Sequence, residues 1–149
     1  MWPFKRKQWE KAGNALTSEM LHRVLVTLFP ENIFLRDRDY RAISSTDFER
    51  LIFNFWFPND LSVYKNEIFD CDDFAVCFLA DIKKGWAKRS HGREALAFGY
   101  ISADIKDGAA HVLHAFIWQL NDKKEINFYE PQTGKKTSPE ILGVILVET

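Results

Sequence analysis

Cysteine is scarce: Cys71 and Cys77 are the only two in 149 residues. Both fall in what reads as one helix, ~9 Å apart along its axis, which is too far for a disulfide. No CxxC pair or Cys/His tetrad offers a zinc spacing. Free thiols without a secretory signal lead to the expectation of a reducing, cytoplasmic setting. Long hydrophobic runs are missing as well, and no window approaches ~18 apolar residues, so no membrane-spanning helix is expected. The basic start, Met1 to Lys7, has no apolar stretch behind it. Only 7 glycines and 5 prolines are present, too few for a linker-rich or fibrous chain. Charge of one sign is not in excess: 20 Lys and Arg stand against 21 Asp and Glu, a net charge of −1. That balance argues against a globally basic nucleic-acid binder or a highly charged tail. No internal repeat or low-complexity segment is visible.

What is present is apolar and aromatic. Hydrophobic residues make up 46% of the chain and aromatics 15%, with 13 Phe and 5 Trp. Such a chain can offset the entropy of ordering and is not disordered. The length fits a single domain spanning 1–149, with about 68–70% of the unfolded surface buried.

The pattern begins with helices. Thr17-Ser18-Glu19 opens a helical stretch with Leu21, Val24, Leu25 and Leu28 on one face, closed before Pro30. Arg36 to Arg41 is a charged loop. Thr46-Asp47-Phe48-Glu49 reads as a capping box for a second helix, with Leu51, Ile52, Phe55 and Trp56 apolar and Pro58 as its end. Asp70 is the expected N-cap of a third helix with Asp73 three residues on. Cys71, Phe74, Ala75, Phe78 and Ile82 share its apolar face, and Gly85 is its expected stop. From Glu94 the period becomes strand-like: Glu94 to Ser102, His111 to Leu120, Glu125 to Glu130 and Ile141 to Val147. Turns are expected at Asp107-Gly108, Asn121 to Lys124 and Pro131 to Gly134. Helices followed by antiparallel strands make an α+β fold.

Chemistry centres on Cys71. Unpaired N–H groups at a helix start favour a thiolate and can hold an oxyanion. The acids Asp70, Asp72 and Asp73 oppose that charge, and the plainer role is a small hydrophobe facing the core. Cys77, in Phe-Ala-Val-Cys-Phe-Leu, is expected to have only that core role. Of the 4 histidines, His22 and His91 read as solvated or structural. His114 shares a strand face with Val112, Phe116 and Trp118, where a histidine needs a polar partner. Glu130 ends the next strand and can accept its Nδ1–H; its plainer role is to cap a turn.

Phe69-Asp70-Cys71-Asp72-Asp73-Phe74-Ala75, His114-Ala115-Phe116 and Glu130-Pro131-Gln132-Thr133-Gly134 together resemble papain-like and transglutaminase-like cysteine peptidases. The nearest likeness is to the peptidase domain of Marasmius agglutinin-type proteins and their small bacterial and phage relatives. The likeness covers roughly residues 64–134. It implies a papain-like core over 64–149, with the catalytic helix packed on a C-terminal antiparallel sheet and a helical portion at 1–63. It further implies a Cys71–His114–Glu130 triad cleaving an amide or ester through a thioester, with a peptide or protein as substrate. Acyl transfer of the transglutaminase or deamidase type, or a non-catalytic binding module on the same fold, are the alternatives. Asn66 is the candidate second oxyanion donor and Gln132 a polar neighbour. The agglutinin domain is calcium-dependent, and calcium enters by resemblance alone. Asp72 and Asp73 already serve the helix dipole and no EF-hand-like alternation occurs, so no metal or other cofactor is expected.

Two basic stretches compete for attention. Lys83, Lys84, Lys88, Arg89 and Arg93 surround Trp86, and Lys5, Arg6, Lys7 and Lys11 lie between Trp2 and Trp9. Such runs can bind phosphate backbones or anionic membranes, but solvated surface is the ordinary outcome.

Overall fold

In the computed structural model the described residues are 14–29, 33–56, 70–90, 94–105, 110–120 and 123–149. Each helix start traces to a cap. Thr17 Oγ1 accepts from Met20 N–H at 3.2 Å and opens α1 (Ser18–Leu28). Its apolar stripe buries Leu21 and Leu25, while Leu28 remains 55% exposed. The cap of the second helix, α2 (Ser45–Phe55), is Ser44, two residues before the expected Thr46, because Ser44 and Asp47 form a cap of their own. Ser44 Oγ accepts from Asp47 N–H at 3.2 Å and bonds Asp47 Oδ2 at 3.0 Å. Asp70 precedes α3 (Cys71–Ser90), and its N–H donates to Asp73 Oδ2 at 3.2 Å.

Gly85 does not stop α3, which runs on to Ser90. The reason is tertiary. A Cβ at Gly85 would lie 2.4 Å from ring atoms of Phe55, so the missing side chain is the seat of the α2 aromatic ring. Glycine's helix penalty, about 1 kcal/mol, is offset by that packing.

The strands form two sheets. The larger has the order β2-β9-β5-β6-β7-β8, comprising β2 (Ile33–Phe34), β9 (Ile141–Glu148), β5 (Phe98–Ile105), β6 (Ala110–Leu120), β7 (Lys123–Glu130) and β8 (Lys135–Thr137). Its pairings are antiparallel except β2 with β9. The smaller sheet, β1-β3-β4, joins β1 (Asn14–Thr17), β3 (Asp39–Ala42) and β4 (Ala95–Leu96). The single strand expected over Glu94 to Ser102 is thus divided between two sheets. Ala95 and Leu96 pair with Tyr40 and Arg41, Ala97 N–H still reaches Arg41 O at 2.8 Å, and Phe98 onward pairs with β6. The α+β class stands, with helices against a largely antiparallel sheet. The hairpin expected at Asp107-Gly108 lies outside the described residues.

Aromatic rings fill the space between α2, α3 and the large sheet. Trp56 and Phe78 meet edge to face at 5.1 Å, Phe78 and Phe98 at 5.7 Å, and Phe48 and Tyr129 at 4.9 Å. The 131–134 turn is fastened to α2: Trp56 Nε1 donates to Pro131 O at 3.0 Å, and Gly134, at φ 66°, lies against Ile52 and Trp56. A second core gathers Leu21, Leu25, Phe29, Tyr40, Ile101 and Val147 around α1 and the sheet junction.

Candidate functional site

The start of α3 carries the expected nucleophile. Cys71 is its first residue and is half-buried, while Phe74, Ala75, Phe78 and Ile82 of the same face are buried. The N-terminal half of α3 lies over the 114–116 stretch of β6. Phe78 packs on Phe98, whose register partner is Phe116, and Tyr129 in the same core is paired with His114. Backbone register therefore brings position 114 beneath α3. The His114 side chain lies outside those described, and so does all of Asn66.

Glu130 ends β7, and its Oε1 accepts from Gln132 N–H at 3.2 Å. The backbone closes the same turn: Gly134 N–H reaches Glu130 O at 2.7 Å and Thr133 N–H reaches it at 3.2 Å. Glu130 thus joins the turn through its carboxylate and its carbonyl, and Gln132 enters there through its backbone. Cys77 is exposed, not buried as expected. It sits on the outer face of α3, yet partial burial, with Asp81 and Asp73 adding to it, pushes its thiol above the ordinary range.

Charge at the α3 start is acidic. A hydrogen bond to Asp70, assisted by burial and by the charges of Asp70 and Asp73, raises the Asp72 carboxyl above its usual range. Asp70, Cys71 and Asp72 each bring a donor atom within 4.8 Å of the others. Two carboxylates and a sulfur fall short of the ~6–8 oxygens that calcium takes, and the sulfur suits softer metals. The described donors do not by themselves make a calcium cage.

Tyr129 is wholly buried among Phe48 and Phe98, and its hydroxyl donates to Glu49 Oε1 at 3.2 Å. Burial foremost, then the charge and hydrogen bond of Glu49, raises its pKa well above the tyrosine range. A group whose folded pKa exceeds its unfolded value contributes stability below the unfolded value and loses it above. Stability is therefore expected to fall once pH passes about 10, the unfolded tyrosine value. Tyr129→Phe should cost about 1 kcal/mol at neutral pH and flatten that alkaline decline. Urea unfolding of both proteins across the alkaline range checks it, and an unchanged slope in the variant would assign the decline elsewhere.

At the far end of α3 lies a cleft of about 430 Å³ that the sequence did not reveal, lined by Asp37, Asp39, Lys83, Trp86, Glu94 and neighbouring residues. Its signal was present only in fragments: a charged loop at 36–41 and a basic stretch around Trp86.

Together, the fold and site define an α+β domain in which one long helix, acidic at its start, lies across an antiparallel sheet. Residues 49–136, more than half of the chain, match the family described as Agglutinin C-terminal, and the protein belongs to that family. No curated protein sequence matches it. Among solved structures, the lectin of Polyporus squamosus shares the fold. One structure, "PSL1a-E64 complex", is 22% identical with a TM-score of 0.74, covering 91% of this chain and 50% of that one. Another, the same lectin bound to the human-type influenza-binding epitope Neu5Acα2-6Galβ1-4GlcNAc, is 20% identical with a TM-score of 0.72, covering 91% and 49%. The chain thus spans about half the length of the solved structures it matches.

These findings overturn the cysteine-peptidase assignment. The family match carries the likeness to agglutinin-type proteins and names no peptidase, so the hydrolase, thiol-protease and acyl-transfer assignment is withdrawn, with the peptide substrate. A short run around a cysteine at a helix start is shared by proteins that do different things, and fold does not fix function. Among the described residues no helix is long and apolar enough to cross a membrane.

Proposed function

We propose that this chain is a non-catalytic binding module whose ligand is a glycan. The observation that carries the reading is the family match over residues 49–136. The likeness in fold to a lectin recorded with a sialylated trisaccharide supports it. The match spans half of the lectin, so the placing of a glycan site on this half belongs to the proposal. In this reading the acids at the α3 start serve the helix, as carboxylates near a helix N-terminus do, and Cys71 packs as a small apolar group.

Calorimetric titration with Neu5Acα2-6Galβ1-4GlcNAc and with Galβ1-4GlcNAc tests the reading. Saturable binding of at least one is expected, and Cys71→Ser should bind as the native protein does, because no covalent step is involved. Absence of binding to both glycans, or binding that disappears in Cys71→Ser while the fold is kept, would overturn it.

A further inference from the structure

The two faces of the large sheet are covered unequally. On β5, Phe98 joins the core with α2 and α3, while Ile101 and Ala103, of opposite parity, join the core with α1. On β7, Tyr129 and Phe128 divide in the same way. One face therefore carries α2 and α3, and the other carries α1. A helix of 11 residues is about 16 Å long, against a six-stranded sheet about 24 Å wide at ~4.8 Å per strand. The shortfall is visible in the side chains: Ile126, Phe128 and Ile141 on that side are only partly buried.

The helix α1 adds apolar surface of its own. Five of the six residues from Val24 to Phe29 are apolar, so apart from Thr27 this half of the helix has no polar side to turn outward. Leu28 is 55% exposed and Phe34, on the outer strand β2, is 56% exposed; Met20 and Val26 are exposed as well. Among the described residues, four of the six exposed large hydrophobics thus lie on α1 and β2, which are in contact. The charges of Glu19 and Arg23 cancel, because the two pair with each other one turn apart on α1. Exposed apolar side chains gathered on one side of a protein mark an interaction surface.

Residues 1–13 lead into β1 and from there directly into α1. They lie outside the described residues, and their sequence carries Lys5, Arg6, Lys7 and Lys11 against Glu10, among Trp2, Phe4 and Trp9. Cations interleaved with tryptophan suit the boundary of an anionic bilayer. Each Lys or Arg near that surface adds about fivefold in affinity, and indole rings settle at the level of the headgroups. Alone, such a run is ordinary solvated surface; the apolar helix four residues further on changes its meaning. Interfacial binding grows with buried apolar area and with attraction to anionic lipids, and the helix and the basic run bring one each. Nucleic acid would engage the cations and the aromatic rings but has no use for Met20, Val26 and Leu28. Four half-exposed side chains also fall short of the ~800 Å² a side of a stable protein interface.

We propose that residues 1–13 and the apolar face of α1 and β2 together attach the protein to an anionic membrane surface, lying on the bilayer and not crossing it. The inference is independent of the glycan reading. The test is co-sedimentation of the full chain with vesicles of phosphatidylcholine alone and with vesicles containing about one quarter phosphatidylserine. Binding to the anionic vesicles is expected, and it should weaken as salt is raised. Lys5→Gln, Arg6→Gln and Lys7→Gln combined should weaken it about hundredfold. Leu28→Ser with Phe34→Ser should weaken it about tenfold. Phe53→Ser, exposed on α2 across the sheet, should leave it unchanged. Circular dichroism verifies the fold of each variant. Absence of binding to anionic vesicles, or equal binding to both kinds at every salt concentration, would overturn the proposal. Full binding by the Leu28→Ser, Phe34→Ser variant would also overturn it, and a change in oligomeric state alone would make the face a contact between copies. A triple-Gln variant that binds fully but melts at lower temperature would place residues 1–13 on the fold and not on lipid. Tighter binding to a DNA duplex than to anionic vesicles would assign the cations to nucleic acid and overturn the proposal as well.

Discussion

Phe78→Ala is expected to lower the unfolding free energy by about 3–5 kcal/mol, the range for removing a buried phenylalanine and leaving a cavity. Phe78 is 0% exposed and stands between Trp56 and Phe98, both edge to face against it. Truncation removes apolar burial and two aromatic contacts worth ~0.5–1.5 kcal/mol each. It also separates α3 from α2 and from β5, so the surroundings cannot easily collapse into the gap. Against a typical domain stability of ~5–15 kcal/mol, little would remain. Urea unfolding should show a lower midpoint at an unchanged slope. Phe53→Ala serves as the contrast. Its ring is 77% exposed on α2, and surface changes of that kind usually stay within ~0.5 kcal/mol. Equal effects of the two substitutions would contradict the packing described.

Gly85→Ala should destabilise although it improves helix propensity. In an open helix the change would gain about 1 kcal/mol. Here the new Cβ would lie 2.4 Å from two atoms of the Phe55 ring, so α2 or the ring must shift. Overpacking of this kind costs roughly 1–3 kcal/mol, and a net loss of about 1–2 kcal/mol is expected. The decisive measurement is a double-mutant cycle with Phe55→Ala. On the Phe55→Ala background the obstruction is gone, and Gly85→Ala should become stabilising. A destabilisation that persists there would place the cause in the helix itself and not in the contact.

Several features were legible because their causes are local. Thr17 caps α1 and Asp70 precedes α3, since an oxygen side chain before an apolar helical stripe satisfies N–H groups a few residues away. The strands β6, β7 and β9 followed from period and turn residues, and Gly134 has the positive φ that a turn glycine allows. The capping box was read two residues late. Ser44-Asp47 and Thr46-Glu49 have the same local form, and packing decides which pair caps.

Other features depend on partners distant in the chain. Gly85 reads as a stop by propensity but passes through the helix because Phe55 fills its place. The sheet β1-β3-β4 is built from strands of two to four residues paired across the chain, too short for any period to show. Cys77, in an apolar run, appeared internal, yet the rotation of α3 over the sheet turns it outward. The run around Cys71 suggested chemistry that the agglutinin family match does not name, because a motif of a few residues records local geometry and not what the molecule does. The cleft is the clearest case: Asp37, Lys83 and Glu94 converge only when β4 pairs with β3 and α3 packs on β4. From the sequence alone came the α+β class, the caps and the apolar stripes, all set by contacts within a few residues. The tertiary structure decided the length of α3, the division of the 95–105 segment between two sheets, and the lining of the cleft, because each is settled by contacts between residues far apart in the chain.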